Sequence, residues 1–243
     1  MEGSPTQLPK RFYKSVSFQE GDHGWHVQLD GRTPVTPAKK ALAVPTEPLA
    51  RALAEEWDEQ EKIINLPLMT LTRMANVALD RTPHTRADLI AEVRKYADTD
   101  LVCYLADGPT ELRDRQEAHF APLRDWISRE HGVELKPTET IINIHQPEES
   151  LDAVARYAAN ADDFTLTGLA MAVGLFSSAV LAIAVAEGEL QATDAYDMSR
   201  IEELWQIEQW GEDDEAMAKV AAQRREVEKL GVWFASLNPP VTS

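Results

Sequence analysis

Hydrophobic and polar positions alternate only near the start of the chain. Phe12, Val16 and Phe18 share one parity between Arg11 and Gln19, and Trp25, Val27 and Leu29 alternate with His26, Gln28 and Asp30, the period of strands with one buried face. Gly21-Asp22-His23-Gly24 supplies turn residues between these runs, and Asp30-Gly31 is a hairpin signal leading into a third strand over Arg32 to Thr36. Pro34, Pro37, Pro45 and Pro48 stop strand character. A small antiparallel sheet is predicted, ending near Val44. Residues 1–44 read as a β-rich N-terminal domain, 45–237 as a larger, mainly α-helical domain, and 238–243 as a disordered tail, which makes the fold class α+β.

Beyond Thr46 the period becomes helical. Thr46 reads as an N-cap with Glu47 in the first turn, and Leu49, Leu53 and Trp57 recur on one face. Further helices are marked by Pro67 before Leu68, Leu71, Ala75 and Leu79, and by Thr82-Pro83 before Leu89, Ile90, Val93 and Tyr96. A longer one runs from Glu111 to His131, with Pro122 as a kink and Gly132 as terminator. The Ile-rich run Thr140 to His145 reads as a short strand. Helical signal then covers Leu151 to Ala159, Phe164 to Ala186, Asp194 to Trp210 and Asp213 to Leu230.

The uncharged run from Phe164 to Ala186 is long enough to span a bilayer. Its flanks argue otherwise: Asp162 and Asp163 precede it, Glu187 and Glu189 follow it, and no nearby Lys or Arg sets an orientation. Small residues such as Ala170, Gly174 and Ser178 suit close helix packing. It is read as a central helix surrounded by others, not as a membrane insertion.

Charge narrows the function classes. Asp plus Glu number 41 against 24 for Lys plus Arg, a net −17 over 243 residues, which repels nucleic acid and anionic membranes. The lone Cys103 rules out an internal disulfide and zinc sites built on paired thiolates, and its apolar neighbours make it a buried hydrophobe. No Gly-rich phosphate loop, nucleophile elbow or H-E-x-x-H helix is present. His23 and His26, three apart beside a hairpin, point to opposite faces and make a poor metal pair. Asp98-Thr99-Asp100 places two carboxylates two apart, so a metal-dependent hydrolase using Asp98 and Asp100 is the enzymatic alternative. Capping of the segment through Cys103 by Asp98 or Thr99 is the structural one.

The most unusual composition lies between Ile201 and Glu215. Ile201, Leu204, Trp205 and Glu208 form one helical stripe, and Glu202, Glu203, Gln206 and Trp210 spread over the rest. A solvated acidic helix ending at Gly211 accounts for much of this. A binding surface accounts for it too, because Trp anchors interfaces and neighbouring carboxylates select a cationic partner.

At this helix the chain resembles the assembly chaperones of the F-type ATP synthase that bind its α subunit. The same family is matched by Glu55-Glu56-Trp57-Asp58-Glu59-Gln60, Pro67-Leu68-Met69-Thr70-Leu71-Thr72, Tyr96-Ala97-Asp98-Thr99-Asp100-Leu101-Val102-Cys103-Tyr104 and Gln206-Ile207-Glu208-Gln209-Trp210-Gly211. The resemblance runs from about Arg11 to about Leu237. It implies a small β-rich domain with a larger helical one, no enzyme activity and no cofactor; no metal site is expected from the residues. The implied partner is the free α subunit, whose surface is masked until the β subunit replaces the chaperone. An acidic residue before the Trp-Gly pair is implicated, matched here by Glu203 with Glu202 beside it, and Gln206 and Trp210 complete the expected contact set. Trp57, Asp98, Asp100 and Gly211 are motif positions assigned to folding. The expected state when free is a monomer. The expected compartment is the bacterial cytoplasm, because mitochondrial members carry a targeting extension, or the mitochondrial matrix if the chain is processed.

Overall fold

In the computed structural model, which describes residues 8–139, 144–211 and 214–238, the alternating segment forms a three-stranded antiparallel sheet in the order β1-β2-β3. β1 (Val16–Gly21) and β2 (Gly24–Leu29) pair from Val16↔Leu29 to Gly21↔Gly24. β3 (Ala43–Val44) adds to the other side of β2 through Trp25↔Val44. Val27, Leu29 and Val44 are buried, so the predicted alternation of β2 holds.

The first strand starts later than expected. The Asp30 carboxylate accepts the backbone N–H groups of Lys14 and Ser15, and Arg11 bonds to Lys62 instead of a strand neighbour. Phe12 is consequently 72% exposed and does not share a buried face with Val16 and Phe18. The third strand is also displaced. Asp30-Gly31 does make a tight turn, with φ of 49° and 76° and reciprocal bonds between Leu29 and Arg32. Pro34 and Pro37 then lack the N–H a ladder needs, leaving one bridge, Val35↔Ala41, before β3.

α1 (Glu47–Asp58) opens on Thr46, whose hydroxyl accepts from the Leu49 N–H at 3.3 Å. Its apolar stripe also carries a carboxylate: Glu56 is 2% exposed. After the 3₁₀ turn η1 (Leu66–Leu68), α2 (Thr70–Asp80) begins at Met69, which offers no capping side chain. Glu56 supplies the cap from the other helix, its two oxygens accepting from Leu71 N at 2.9 Å and Thr72 N at 2.8 Å. An acid at the positive end of a helix is favourable in its own right. The described residues divide into two compact units, 8–83 with 236–238, and 84–235. The change of period at Val44 thus marks the end of the sheet, and α1 and α2 belong with the sheet in the first unit.

The remaining elements are α3 (Thr82–Asp98), bent at Thr85, η2 (Leu101–Cys103), α4 (Thr110–His131), α5 (Glu148–Asn160), α6 (Asp163–Phe176), α7 (Ala179–Ala186), α8 (Ala192–Ser199), α9 (Ile201–Trp210) and α10 (Asp214–Leu237). Gly132 ends α4 with φ 66°, and Pro122 lies within that helix. Residues 140–143 of the expected Ile-rich strand and 239–243 of the expected tail lie outside the described residues. Beyond small shifts at helix ends, three helical readings change. Asp194 to Trp210 is two helices, broken at Arg200. α10 runs on to Leu237, because Trp233 and Phe234 extend its buried stripe and Trp233 Nε1 donates to the Phe164 carbonyl.

The third difference concerns the uncharged run, which is not one helix. Ser177 takes a left-handed conformation, φ 52°, and Ser178 recaps the chain by accepting from Leu181 N at 3.0 Å. Asp100 makes this break possible. Its fully buried carboxylate accepts from Val102 N at 3.2 Å and Val180 N at 3.0 Å, and is hydrogen-bonded by Ser178 and Ala179. Leu101 N donates to the Ser177 carbonyl. Asp100, not Asp98 or Thr99, therefore caps η2, and it adds a second acceptor beside Ser178 at the start of α7. α7 is buried on every side, as expected of a helix enclosed by others, and no helix among the described residues is long and apolar enough to cross a membrane.

Two outcomes follow. Glu56→Ala strands the N–H groups of Leu71 and Thr72 and should lower unfolding free energy by on the order of 3 kcal/mol, with Glu56→Gln costing about half, as read by chemical denaturation. A loss below about 1 kcal/mol for Glu56→Ala would show that the cap contributes little. Burial pushes the Asp100 carboxyl up to about 6 against its hydrogen bonds. A raised folded-state pKa adds stability in full below the unfolded carboxyl's range, lost as pH climbs through about 6. The stability of the wild type relative to Asp100→Asn should accordingly fall between about pH 4 and 6 and level off above; a gap that widens with rising pH contradicts this.

Candidate functional site

α9 buries little of itself. Ile201 is its buried residue, Leu204, Trp205 and Ile207 are half-buried, and Glu202, Glu203, Gln206, Glu208, Gln209 and Trp210 are exposed. The stripe read from the sequence is thus the attached side. Arg115 of α4 fixes the middle of the helix, its Nη1 lying 2.9 Å from both Glu208 oxygens. Arg200, at the break before α9, donates to Glu203 and lies over the Tyr196 ring of α8. α8 in turn is tied to α10 by Arg224–Asp197 at 2.8 Å and Tyr196–Gln223 at 3.0 Å.

The free side carries the expected contact residues. Glu202 and Gln206 stand one turn apart, their side chains 3.5 Å from each other. Both acids of the first turn are favoured by the helix dipole, so a folding role alone explains Glu202 and Glu203. It does not explain Trp210, which is 79% exposed. Covering that indole would gain on the order of 3 kcal/mol. Gly211 ends the helix with φ 89°, a conformation that disfavours side-chain-bearing residues. Glu202, Gln206 and Trp210 recur at the i, i+4, i+8 spacing of one helical face, with Glu203 at its border.

The other motif positions are spent on the fold. Trp57 is 7% exposed and meets Tyr13 edge-on at 5.8 Å, while the Tyr13 hydroxyl donates to the Trp57 carbonyl. Asp98 accepts from Gln146 N at 3.2 Å and has His145 Nδ1 at 3.6 Å. Asp100 is enclosed as described, both oxygens occupied by N–H donors. The two acids therefore present no joint face to a cation, and the described residues contain no cluster suited to a metal. Burial and the Asp100 charge raise the pKa of the Cys103 thiol far above its usual range, so it is no nucleophile.

Two polar anchors escaped the sequence reading. Glu56 sits three residues after Leu53 on the α1 stripe, and a carboxylate in a row of buried positions was the available signal. Arg124 is buried, donating to the Val102 carbonyl at 2.6 Å and pairing with both Glu117 oxygens. It falls one residue after Leu123 in a polar-rich helix, and nothing in the pattern distinguishes it.

Comparison with known proteins bears on the whole chain. The profile of the ATP12 chaperone protein family matches residues 10–128. The mitochondrial protein atp12 of Schizosaccharomyces pombe is 24% identical over 227 residues, covering 88% of this chain and 78% of its own length. Among solved structures, Atp12 from Paracoccus denitrificans is 36% identical with a TM-score of 0.86, over 93% of this chain and 97% of that one. An aspartate-to-lysine mutant of the Paracoccus protein gives 37% and 0.85, over 93% and 98%. The Atu1473 protein of Agrobacterium tumefaciens gives 34% and 0.89, over 95% and 87%. These neighbours are chaperones and not enzymes, which sets aside the hydrolase alternative. The chain belongs to the ATP12 chaperone protein family.

Proposed function

We propose that the chain holds the free α subunit of the F-type ATP synthase on the outer face of α9, through Glu202, Glu203, Gln206 and Trp210, and masks its subunit interface until the β subunit takes its place. The broader part needs no proposal: the family is one of ATP synthase assembly chaperones, so a subunit of that enzyme is the partner. The observation that supports the finer part is Trp210, a large apolar side chain left 79% exposed beside carboxylates on a helix attached by its opposite side. In the other three motif stretches Glu56, Trp57, Leu71, Thr72, Asp98 and Asp100 are engaged in the protein's own joints; in this one Trp210 faces outward.

An indole ringed by acids suits a partner patch that is apolar at its centre and cationic at its rim. The net charge of −17 favours fast encounter with such a surface and disfavours nucleic acid. The interface must be displaceable, which a short helix with one aromatic anchor allows. In this reading the chain acts as a monomer without a cofactor. It works where unassembled α subunit is found: the bacterial cytoplasm, or the mitochondrial matrix for a processed chain.

Co-purification with α subunit at low salt tests the reading, and wild type that captures none of it sinks it. Trp210→Ala and Glu202→Lys should each weaken capture at least about tenfold while shifting Tm by no more than a few degrees. Glu203→Lys also breaks the Arg200 contact, yet it should weaken binding more than it lowers Tm. Large losses of stability with capture intact would remove α9 as the docking face. The carboxylate contribution should shrink at about 0.5 M salt, where charges are screened.

A further inference from the structure

β1 is an edge strand whose outer side has no partner among the described residues. Asp30 N donates to the Ser15 carbonyl, which sets the parity of the β1–β2 ladder. Ser15, Ser17 and Gln19 exchange hydrogen bonds with β2, so Val16, Phe18 and Glu20 turn their N–H and C=O groups the other way. No described residue takes up those groups. β1 reads Val-Ser-Phe-Gln-Glu-Gly, with one charged residue near its end and without the Pro or Lys that usually protects an exposed strand.

Beside this edge lies a groove of about 570 Å³ between β1 and α1, lined by Val16, Phe18, Ala54, Glu55, Asp58 and Glu59, with Arg51 also on its wall. Arg51 is occupied, paired with Glu47 and stacked over Phe18 at 5.2 Å. Asp58 pairs with Arg11 at 2.9 Å. Glu55 and Glu59, one turn apart and exposed, have no ion-pair partner among the described residues.

We infer that this groove seats an extended segment of the client as a fourth strand beside β1. The segment carries Lys or Arg among the alternate side chains that face α1. Main-chain bonds to Val16, Phe18 and Glu20 supply affinity without regard to sequence, and the Val16, Phe18 and Ala54 floor with the Glu55 and Glu59 wall selects an apolar, cationic strand. Such a segment of an unassembled subunit is aggregation-prone, and pairing it removes an open edge from each partner. The inference rests on the chain being a holder of the α subunit.

Residue-resolved hydrogen exchange on the full chain, with and without purified α subunit, tests it. The Val16, Phe18 and Glu20 amides should exchange quickly in the free protein and become protected in the complex. Val16→Pro removes an outward N–H at the first position of the strand and leaves the ladder to β2 intact; it should weaken capture about fivefold. The Glu55→Lys, Glu59→Lys double variant should weaken it about tenfold, and circular dichroism should show both variants folded. Capture with no added protection at β1, or unchanged in both folded variants, overturns the groove and leaves the α9 reading standing. Protection already present in the free chain assigns the edge to its own N-terminal residues, and protection that grows with concentration assigns it to a second copy; either overturns the proposal. Wild type that captures no α subunit fails the function reading and this inference with it.

Discussion

A carboxylate with no access to water holds the helical unit together. Asp100 receives hydrogen bonds at the start of η2 and at the start of α7, two helix beginnings that would otherwise leave N–H groups stranded in an apolar interior. Because of it, a run of residues with no internal charge can bend at Ser177 and Ser178 and pack as two shorter helices. α7 can then be apolar around its whole circumference, since every side faces protein. Removing solvent from an ionisable group is costly, and here that cost supports a turn whose local signal is the Ser178 cap alone.

Glu56 does the same on a smaller scale in the sheet-bearing unit. One motif, Glu55 to Gln60, and another, Pro67 to Thr72, turn out to be two halves of one joint. Glu56 caps α2, Gln60 receives Asn65 N at 2.9 Å, and Arg11 clamps the carbonyls of Asp58 and Gln60. Polar side chains thus set the geometry between helices, and the apolar stripes fill the space they define. α9 shows the reverse economy: it touches the body through Ile201, a half-buried stripe and one arginine, and turns its remaining side chains outward.

Elements set by local periodicity were legible in the sequence. The alternation of Trp25, Val27 and Leu29, the Thr46 cap, the Leu49-Leu53-Trp57 stripe and the Gly132 stop all stand where the residues put them. What was not legible depended on partners far away in the chain. Asp30 reaches back to Lys14 and Ser15 and takes the donors a longer first strand would need. Asp100 acts on Val180, eighty residues on, and Glu56 on a helix whose own start has no cap. The outward set on α9 was readable as a composition, but which of its residues would be free depended on Arg115 capturing Glu208. The groove beside β1 left no trace in the pattern, because it arises between elements and belongs to neither alone.

Since α9 contributes so little to the interior, the docking proposed for its outer face makes folding and recognition nearly independent properties. A lesion on its outer face would pass quality control, escape proteolysis and accumulate to normal abundance, leaving a cell with a full complement of inert protein. Defects at the buried carboxylates would instead show themselves as scarcity.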